Sequence, residues 1–296
     1  MKDWKEIAKS LFPKEFEEFI KTSGRNPIVE VSTIEGDVSR RDIPWNALFY
    51  DLDKHSIIDL VGGLEDLKNG ITRFVGDPAM RITEDPLRIM RLLRFTSRYN
   101  YEIDSKSIEA IHKNKDKLSI IVRNRIWDEF YKAYGQVKDF RLYLNYIKQF
   151  GIWEYVFPGM KINDRVSRCF GTNPLVLYLA NLFKDEYPDG LQERLVQGCF
   201  VPIEYSRVIS FLVWLKDFTP DRVTEFYSKK NSYRIDDEII KEWISIAGLS
   251  GNEFDAFIKY RPTTSSQELM SQGFKGKELG DEIKRLEIEK FKNSLK

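Results

Sequence analysis

The sequence predicts an α+β protein that is mostly α, with a few strands near the front and more than two hundred residues of helix behind them. Three observations carry this. Alternating β-branched runs occur at PIVEVSTI (27–34) and HSIIDLV (55–61), and such runs thin out after residue 83. Beyond that point apolar residues recur at helical spacing, broken by Gly and Pro. The 296 residues are 42% hydrophobic and 14% aromatic, enough for real cores.

Taken in order, residues 1–23 read as one or two helices, with Leu11, Phe12, Phe16, Phe19 and Ile20 apolar, Pro13 a break and Ser23-Gly24 the stop. The two strands flank WNALFYDLD, whose type the pattern leaves open. Turns follow at Gly62-Gly63 and Gly70. Glu84–Arg98, Ser105–Leu118 and Ile120–Tyr134 predict helices, capped by Asp104 or Ser105 and by Ser119, with Gly135 as a stop. The remainder alternates helices with breaks such as Gly151, Pro188 and Pro262, without repeat or low-complexity block. Soft divisions fall at 1–70, 71–145 and 146–296.

Charge and composition narrow the function. Forty-seven basic against 46 acidic residues give a net +1, which excludes a uniformly basic nucleic-acid coat and a disordered acidic tail. No apolar run approaches the ~18 residues of a membrane span, and MKDWKEIAKSLF lacks the small-residue cleavage site of a signal peptide. Cys169 and Cys199, with no CxxC pattern, predict buried free thiols in a reducing cytoplasm. His55 and His112 are too few for a histidine metal centre. Carboxylates and arginines must carry any chemistry.

Those residues concentrate at 36–98. Arg88, Arg91, Arg94 and Arg98, spaced 3, 3 and 4, share one face of a helix whose other positions are mostly apolar. Residues 71–98 hold six arginines against three acids, a local +3. Such a stripe suits phosphate oxygens, and it equally describes a structural ion-pair network; the first reading is favoured because a solvated face would use more lysine. Asp85 and Arg88, three apart, form an acceptor–donor pair. The carboxylate would accept from the exocyclic amine of cytosine or adenine and reject the carbonyl of uracil or guanine; the same pair is also a common helix salt bridge. Upstream, Arg40 and Arg41 could hold a triphosphate and Asp42 and Asn46 ribose hydroxyls, or the run is a basic turn capped by Asp42.

In sequence, RRDIPWNALFYD followed by IIDLVGGLEDLKNGITRFVGDPAMRITEDPLRIMRLLRF resembles the class II tRNA nucleotidyltransferase (CCA-adding enzyme) and bacterial poly(A) polymerase family. The carriers are RRDxxxNA, a D-x-x-GG-x-x-DL turn, VGDP and EDPLRxxRxxRF; RNRIWDEF, with Arg123, Arg125 and Glu129, is similar to the family's RI-x-x-E element, and GFKGKELGDEI to its C-terminal turn. The likeness is strong over residues 28–135 and faint beyond. It implies a partial nucleotidyltransferase head (1–70), a helical neck with the nucleotide-selecting motif (71–145) and a helical body and tail gripping tRNA (146–296). It further implies that Arg40, Arg41, Asp42 and Asn46 bind phosphates and ribose of CTP or ATP, that Asp85 and Arg88 read the base, and that Arg91 and Arg94 complete the pocket. Arg123, Arg125 and Glu129 would support them. Ile43, Pro44 and Trp45 depart from the family's usual Phe-Thr-Ile.

The family's catalytic step needs a D-x-D pair holding Mg2+ after a Gly-Gly or Gly-Ser turn. No D-x-D precedes residue 40, and Asp51–Asp53 falls after the RRD element, where the family has a non-catalytic strand. By the same resemblance Glu30 falls where the family strand carries an acid and is a weak candidate for an auxiliary catalytic carboxylate. The sequence therefore predicts no metal site of its own, with Mg2+ held by a separate polypeptide that completes the head. The shortened connection at Glu35-Gly36 leans towards CC addition by family analogy. A non-catalytic RNA- or nucleotide-binding derivative of the family is the alternative.

Overall fold

The computed structural model describes residues 33–163, 166, 171–249 and 251–295. The helices predicted for 1–23, the strand predicted from Pro27, Glu30 and Cys169 lie outside the described residues.

The first helix, α1 (Ile34–Arg40), starts on Thr33, whose hydroxyl accepts from the Gly36 amide at 3.1 Å. Ile34, expected as a strand end, and Glu35-Gly36, expected as a connection, are therefore its first turn. An N-cap threonine and early acids at Glu35 and Asp37 outweigh the β-branched alternation there. A 3-10 turn follows at Pro44–Ala47, with proline at its start. WNALFYDLD then continues as β1 (Phe49–Asp51), which pairs antiparallel with β2 (Ser56–Ile58), Tyr50 opposite Ile57.

Helix α2 (Gly63–Asn69) lies between Gly62 and Gly70, both in the left-handed region (φ 78° and 66°). The Asp59 carboxylate accepts from the amides of Val61, Gly62, Gly63 and Leu64, satisfying the donors at the start of α2. A side chain at Gly63 would place its Cβ 2.5 Å from the Pro44 carbonyl oxygen, so glycine lets α2 sit directly on the 3-10 turn. Strand β3 (Ile71–Thr72) pairs in parallel with β4 (Glu102–Ile103).

Between them the predicted helix Glu84–Arg98 is two elements. Helix α3 (Pro78–Glu84) ends at Glu84; Asp85 is extended (φ −149°, ψ 100°); α4 (Arg88–Tyr99) begins three residues later. Pro86 causes the break: its ring disfavours helical backbone at Asp85. Glu84 is thus the last residue of α3 rather than an acid in the first turn of the arginine helix. Helix α5 (Ser105–Asn114) is capped by Asp104, as expected. A 3-10 segment, Lys115–Ile120, follows. Helix α6 (Arg123–Gln136) starts on Val122, not Ser119, whose hydroxyl bonds the Asp116 carbonyl instead; Gly135 lies within the helix rather than ending it.

The rest is helical: α7 (Phe140–Gln149), α8 (Trp153–Val156), α9 (Pro174–Leu182), α10 (Leu191–Glu193) with a π turn (Arg194–Gly198), α11 (Ile203–Leu215), α12 (Val223–Tyr233), α13 (Asp237–Ala247), α14 (Gly251–Lys259), α15 (Ser266–Ser271) and α16 (Gly276–Ser294). One apolar cluster runs from Ile43 to Phe291; Val38, Ala47 and Val75 form a second, small one with Phe49 and Val61. Ile89, Met90, Leu92 and Leu93 of α4 are wholly buried in the large cluster, worth up to about 1.5–3 kcal/mol each. Cys199 is a buried free thiol, pushed up to about 12 by burial despite Arg123 and Arg194. No helix among the described residues is long and apolar enough to cross a membrane.

Candidate functional site

Helix α4 is anchored on three sides, so its polar stripe can face only one way. Its apolar face is in the core. At its C-terminal end, Trp45 packs edge-on to Tyr99 and Tyr101, at 6.1 and 5.3 Å between centroids. The tryptophan that departs from the family pattern thereby ties the 3-10 turn to α4. The Val75 amide bonds the Asp42 carbonyl at 3.1 Å, which ties the RRD segment to the stretch after β3, and the Asp42 carboxylate meets Arg88 and Arg91 of α4.

Along that stripe the arginines meet carboxylates. Arg88 donates to Glu84 Oε2 (2.6 Å) and to the Arg81 carbonyl (3.1 Å), and its Nε lies 3.3 Å from Asp42 Oδ1. Arg91 donates through Nε to Asp42 Oδ2 at 2.6 Å. Arg94 donates to Glu129 Oε1 (2.5 Å) and to Gln136 Oε1 (2.8 Å); Arg98 reaches the same Gln136 oxygen at 3.3 Å. Arg94 and Glu129 are 5% and 1% exposed, a buried pair whose desolvation must be offset by this bonding. Bonding to Arg88 and then Arg81 holds the Glu84 carboxyl below the usual range despite slight desolvation. Burial, then the charge of Arg88, pulls the Arg81 guanidinium down from its ordinary value.

The side chains of Asp85 and Arg88 do not pair with each other, although the Arg88 amide bonds the Asp85 carbonyl at 3.0 Å. Asp85 Oδ1 accepts from the Leu87 amide (3.2 Å), and Oδ2 accepts from Arg125 Nη2 (2.8 Å) on α6. Arg40, at the end of α1, and Arg41, just after it, are exposed and both bond Asp37, which keeps that carboxyl low, Arg41 contributing most. Asn46 is exposed in the 3-10 turn. Arg123 donates to the Tyr155 carbonyl (2.5 Å), joining α6 to α8. The structure therefore brings Asp42, Asp85, Arg88, Arg91, Arg94, Arg125 and Glu129 into one seam, with Arg40 and Arg41 at its rim and Arg123 turned away.

The local +3 of residues 71–98 is largely offset in three dimensions by acids from outside, although Arg125, also from outside, adds one positive charge beside Asp85. Asp42, Asp66 and Glu129, three acids from outside the segment, pair with Arg88 and Arg91, with Arg73, and with Arg94. Arg81, Glu84 and Gln136 belong to the seam, yet the sequence reading gave none of them a role there. Gln136 carried a readable signal: Arg125, Glu129 and Gln136, spaced 4 and 7, lie on one face of α6. Pro86 was the signal for Glu84, because it places that residue at the end of the preceding helix.

Among the described residues no group of three or more His, Cys, Asp or Glu could hold a metal ion. Asp51 Oδ1 accepts from the Asp53 and Lys54 amides, so the D-x-D at 51–53 is built as a hairpin turn and does not fit a Mg2+ site. A groove of about 410 Å³ borders the seam, lined by Val38, Leu60, Val75, Met80, Arg81 and Glu84. A larger cleft of about 440 Å³ lies in the helical body against Phe211 and Trp214 and shares no residue with the seam.

A mostly helical chain with a fragmentary strand region and an arginine helix joined to an RRD segment has the fold of the nucleotidyltransferase class. It superposes on the Bacillus stearothermophilus CCA-adding enzyme in complex with CTP with a TM-score of 0.61 at 18% identity, covering 89% of this chain and 71% of that one. For the Thermotoga maritima CCA-adding enzyme complexed with tRNA the TM-score is 0.54 at 20% identity, covering 88% and 70%. Residues 7–73 match the family described as "Poly A polymerase head domain", and 100–163 the family described as "Probable RNA and SrmB- binding site of polymerase A". The chain is 46% identical over 102 residues to the CCA-adding enzyme of Lactobacillus helveticus, which is 34% of this chain and 25% of that enzyme. It is 37% identical over 131 residues to poly(A) polymerase I of Haemophilus influenzae, 43% of this chain and 28% of that one. These matches span about a quarter of the relatives' length. Over these segments the chain is similar to CCA-adding enzymes and bacterial poly(A) polymerases.

Proposed function

We propose that this chain is the nucleotide-selecting and tRNA-binding part of a tRNA nucleotidyltransferase that adds C, A or both to the tRNA 3′ end. In the reaction the terminal 3′-hydroxyl oxygen attacks the α-phosphorus of CTP or ATP. Its proton leaves, a phosphodiester bond forms, and the bond to the β-phosphate breaks to release pyrophosphate. Asp85 and Arg88 read the base edge, Asp42 and Asn46 hold the ribose, and Arg40, Arg41, Arg91 and Arg94 complete the pocket. The helical body, expected for 146–296, grips the acceptor arm chiefly by shape and backbone contacts.

The observation that carries this reading is the convergence of Asp42, Asp85, Arg88 and Arg91 on one seam, although they come from separate parts of the chain. Asp85 is half-buried beside this network and, with bonds only from the Leu87 amide and Arg125, keeps acceptor capacity for a base edge. The D-x-D aspartates and their Mg2+ come from outside these 296 residues, on a second polypeptide, and the complex acts in the cytoplasm. The exposed Tyr50, Leu52 and Ile57 of the β1–β2 hairpin favour such pairing.

Incubation of the purified chain with tRNA, CTP, ATP and Mg2+ tests this. The chain alone should incorporate no nucleotide, and a D-x-D-bearing head polypeptide added in trans should restore incorporation. Incorporation by the lone chain overturns the two-polypeptide reading. Nucleotide or tRNA binding that no head polypeptide converts to transfer favours a non-catalytic binding protein.

A further inference from the structure

We propose that Arg125 is a positioning residue of the base-reading site, setting the Asp85 carboxylate so that it can accept from an exocyclic amine. The inference rests on the nucleotide-selecting reading of Asp85 and adds to it a partner from a different helix.

Geometry carries the argument. Asp85 lies in the break between α3 and α4, where Pro86 holds it extended, so no helix fixes its side chain. Two contacts do so. The Leu87 amide bonds Oδ1 at 3.2 Å, and Arg125, forty residues away in sequence, bonds Oδ2 at 2.8 Å. Arg88, the neighbour that spacing nominates as partner, is instead held by Glu84, Asp42 and the carbonyls of Arg40 and Arg81. An ionised carboxylate has about four lone-pair sites. Leu87 and Arg125 occupy two, which leaves acceptor capacity on a side chain that is 28% exposed and so open to a ligand.

Arg125 is itself aligned. It shares the α6 face with Glu129 and Gln136, which hold Arg94 and Arg98 of α4. The row 125, 129, 136 on α6 therefore faces the row of α4 along its length, and Asp85 at the head of α4 is the last group it reaches. An exposed ion pair of this kind adds little to stability, about 0–1 kcal/mol. Its effect is expected in selection, because displacing a reading group by a fraction of an ångström weakens the bond it makes to the base.

Binding of CTP, ATP, UTP and GTP to the full chain at one fixed salt concentration tests the proposal. In wild type, CTP and ATP should bind more tightly than UTP and GTP. Arg125→Ala should weaken CTP and ATP by about tenfold and leave UTP and GTP unchanged, with the thermal midpoint unmoved. Arg125→Lys should recover part of the preference. Adding Asp85→Asn to Arg125→Ala should cost little more than either alone, since both act on one bond. An equal loss for all four nucleotides would make Arg125 a phosphate contact and overturn the proposal, as would an unchanged preference in Arg125→Ala. Absence of any preference in wild type overturns the function reading itself and this inference with it.

Discussion

In the β1–β2 hairpin, Tyr50, Leu52 and Ile57 are 56%, 78% and 52% exposed, while across the α4–α6 seam Arg94 and Glu129 are 5% and 1% exposed. One region presents apolar surface to water and the other buries charge. Each arrangement is stable in its own way. Buried charge persists because its partner is present, and removal of Glu129 leaves Arg94 buried with only the neutral Gln136 as acceptor. Exposed apolar side chains cost the isolated chain little but gain when something covers them. The seam is thus paired from within, whereas the hairpin leaves apolar side chains uncovered.

The largest expected effect breaks the seam. Glu129→Ala leaves Arg94 buried without its carboxylate and should destabilise the chain by about 3–5 kcal/mol in urea unfolding, whereas Arg94→Met with Glu129→Leu should lose much less. Next, Arg88→Ala should remove about 1–3 kcal/mol of discrimination between CTP or ATP and UTP or GTP, read as binding ratios.

An acid titration separates the regions further. Bonding to Arg88 and Arg81 holds Glu84 low; burial would raise Asp59, but the amides of Leu64, Gly63, Val61 and Gly62 outweigh it. Both folded values lie below the unfolded ones. The stability these carboxyls lend is therefore complete above an unfolded pKa of about 4 and is lost as pH falls through the folded values. Unfolding midpoints should decline below about pH 4, and Asp59→Asn should flatten that decline.

The smallest stability effect is expected at the hairpin. Leu52→Asp with Ile57→Lys should shift unfolding by no more than about 0.5 kcal/mol, yet abolish rescue by a D-x-D head polypeptide. Unchanged rescue would place the docking face elsewhere. Cys199 sharpens the contrast with the hairpin: its thiol, pushed up to about 12 by burial, should resist alkylation at neutral pH until the chain unfolds.

Local chemistry was legible in the sequence where a single side chain decides it. Asp104 as a cap and the turns at Gly62-Gly63 and Gly70 are such cases. Legibility failed where two signals competed. The 3, 3, 4 spacing of arginines extended the helix back across Asp85, although Pro86 forbids it. Ser119 has the residue type of a cap, but its hydroxyl turns back to Asp116. Partners across long sequence distances were out of reach: spacing joins Asp85 to Arg88, and the fold joins it to Arg125. Order and type nominated Asp42, Asp85, Arg88, Arg91, Arg94, Arg125 and Glu129, which the fold brings together, but not Arg81, Glu84 or Gln136, whose pairing required the packing of α3, α4 and α6.

Asp42, Glu84 and Glu129, which pair with Arg81, Arg88, Arg91 and Arg94, act as counterions built into the seam. A nucleotide triphosphate entering the seam would displace carboxylates from guanidinium groups rather than release ions from solution. Its affinity should therefore depend on salt more weakly than that of an open arginine cluster, where ion release dominates. The near-neutral charge of the whole chain is then the sum of a site that carries its own exchangeable anions.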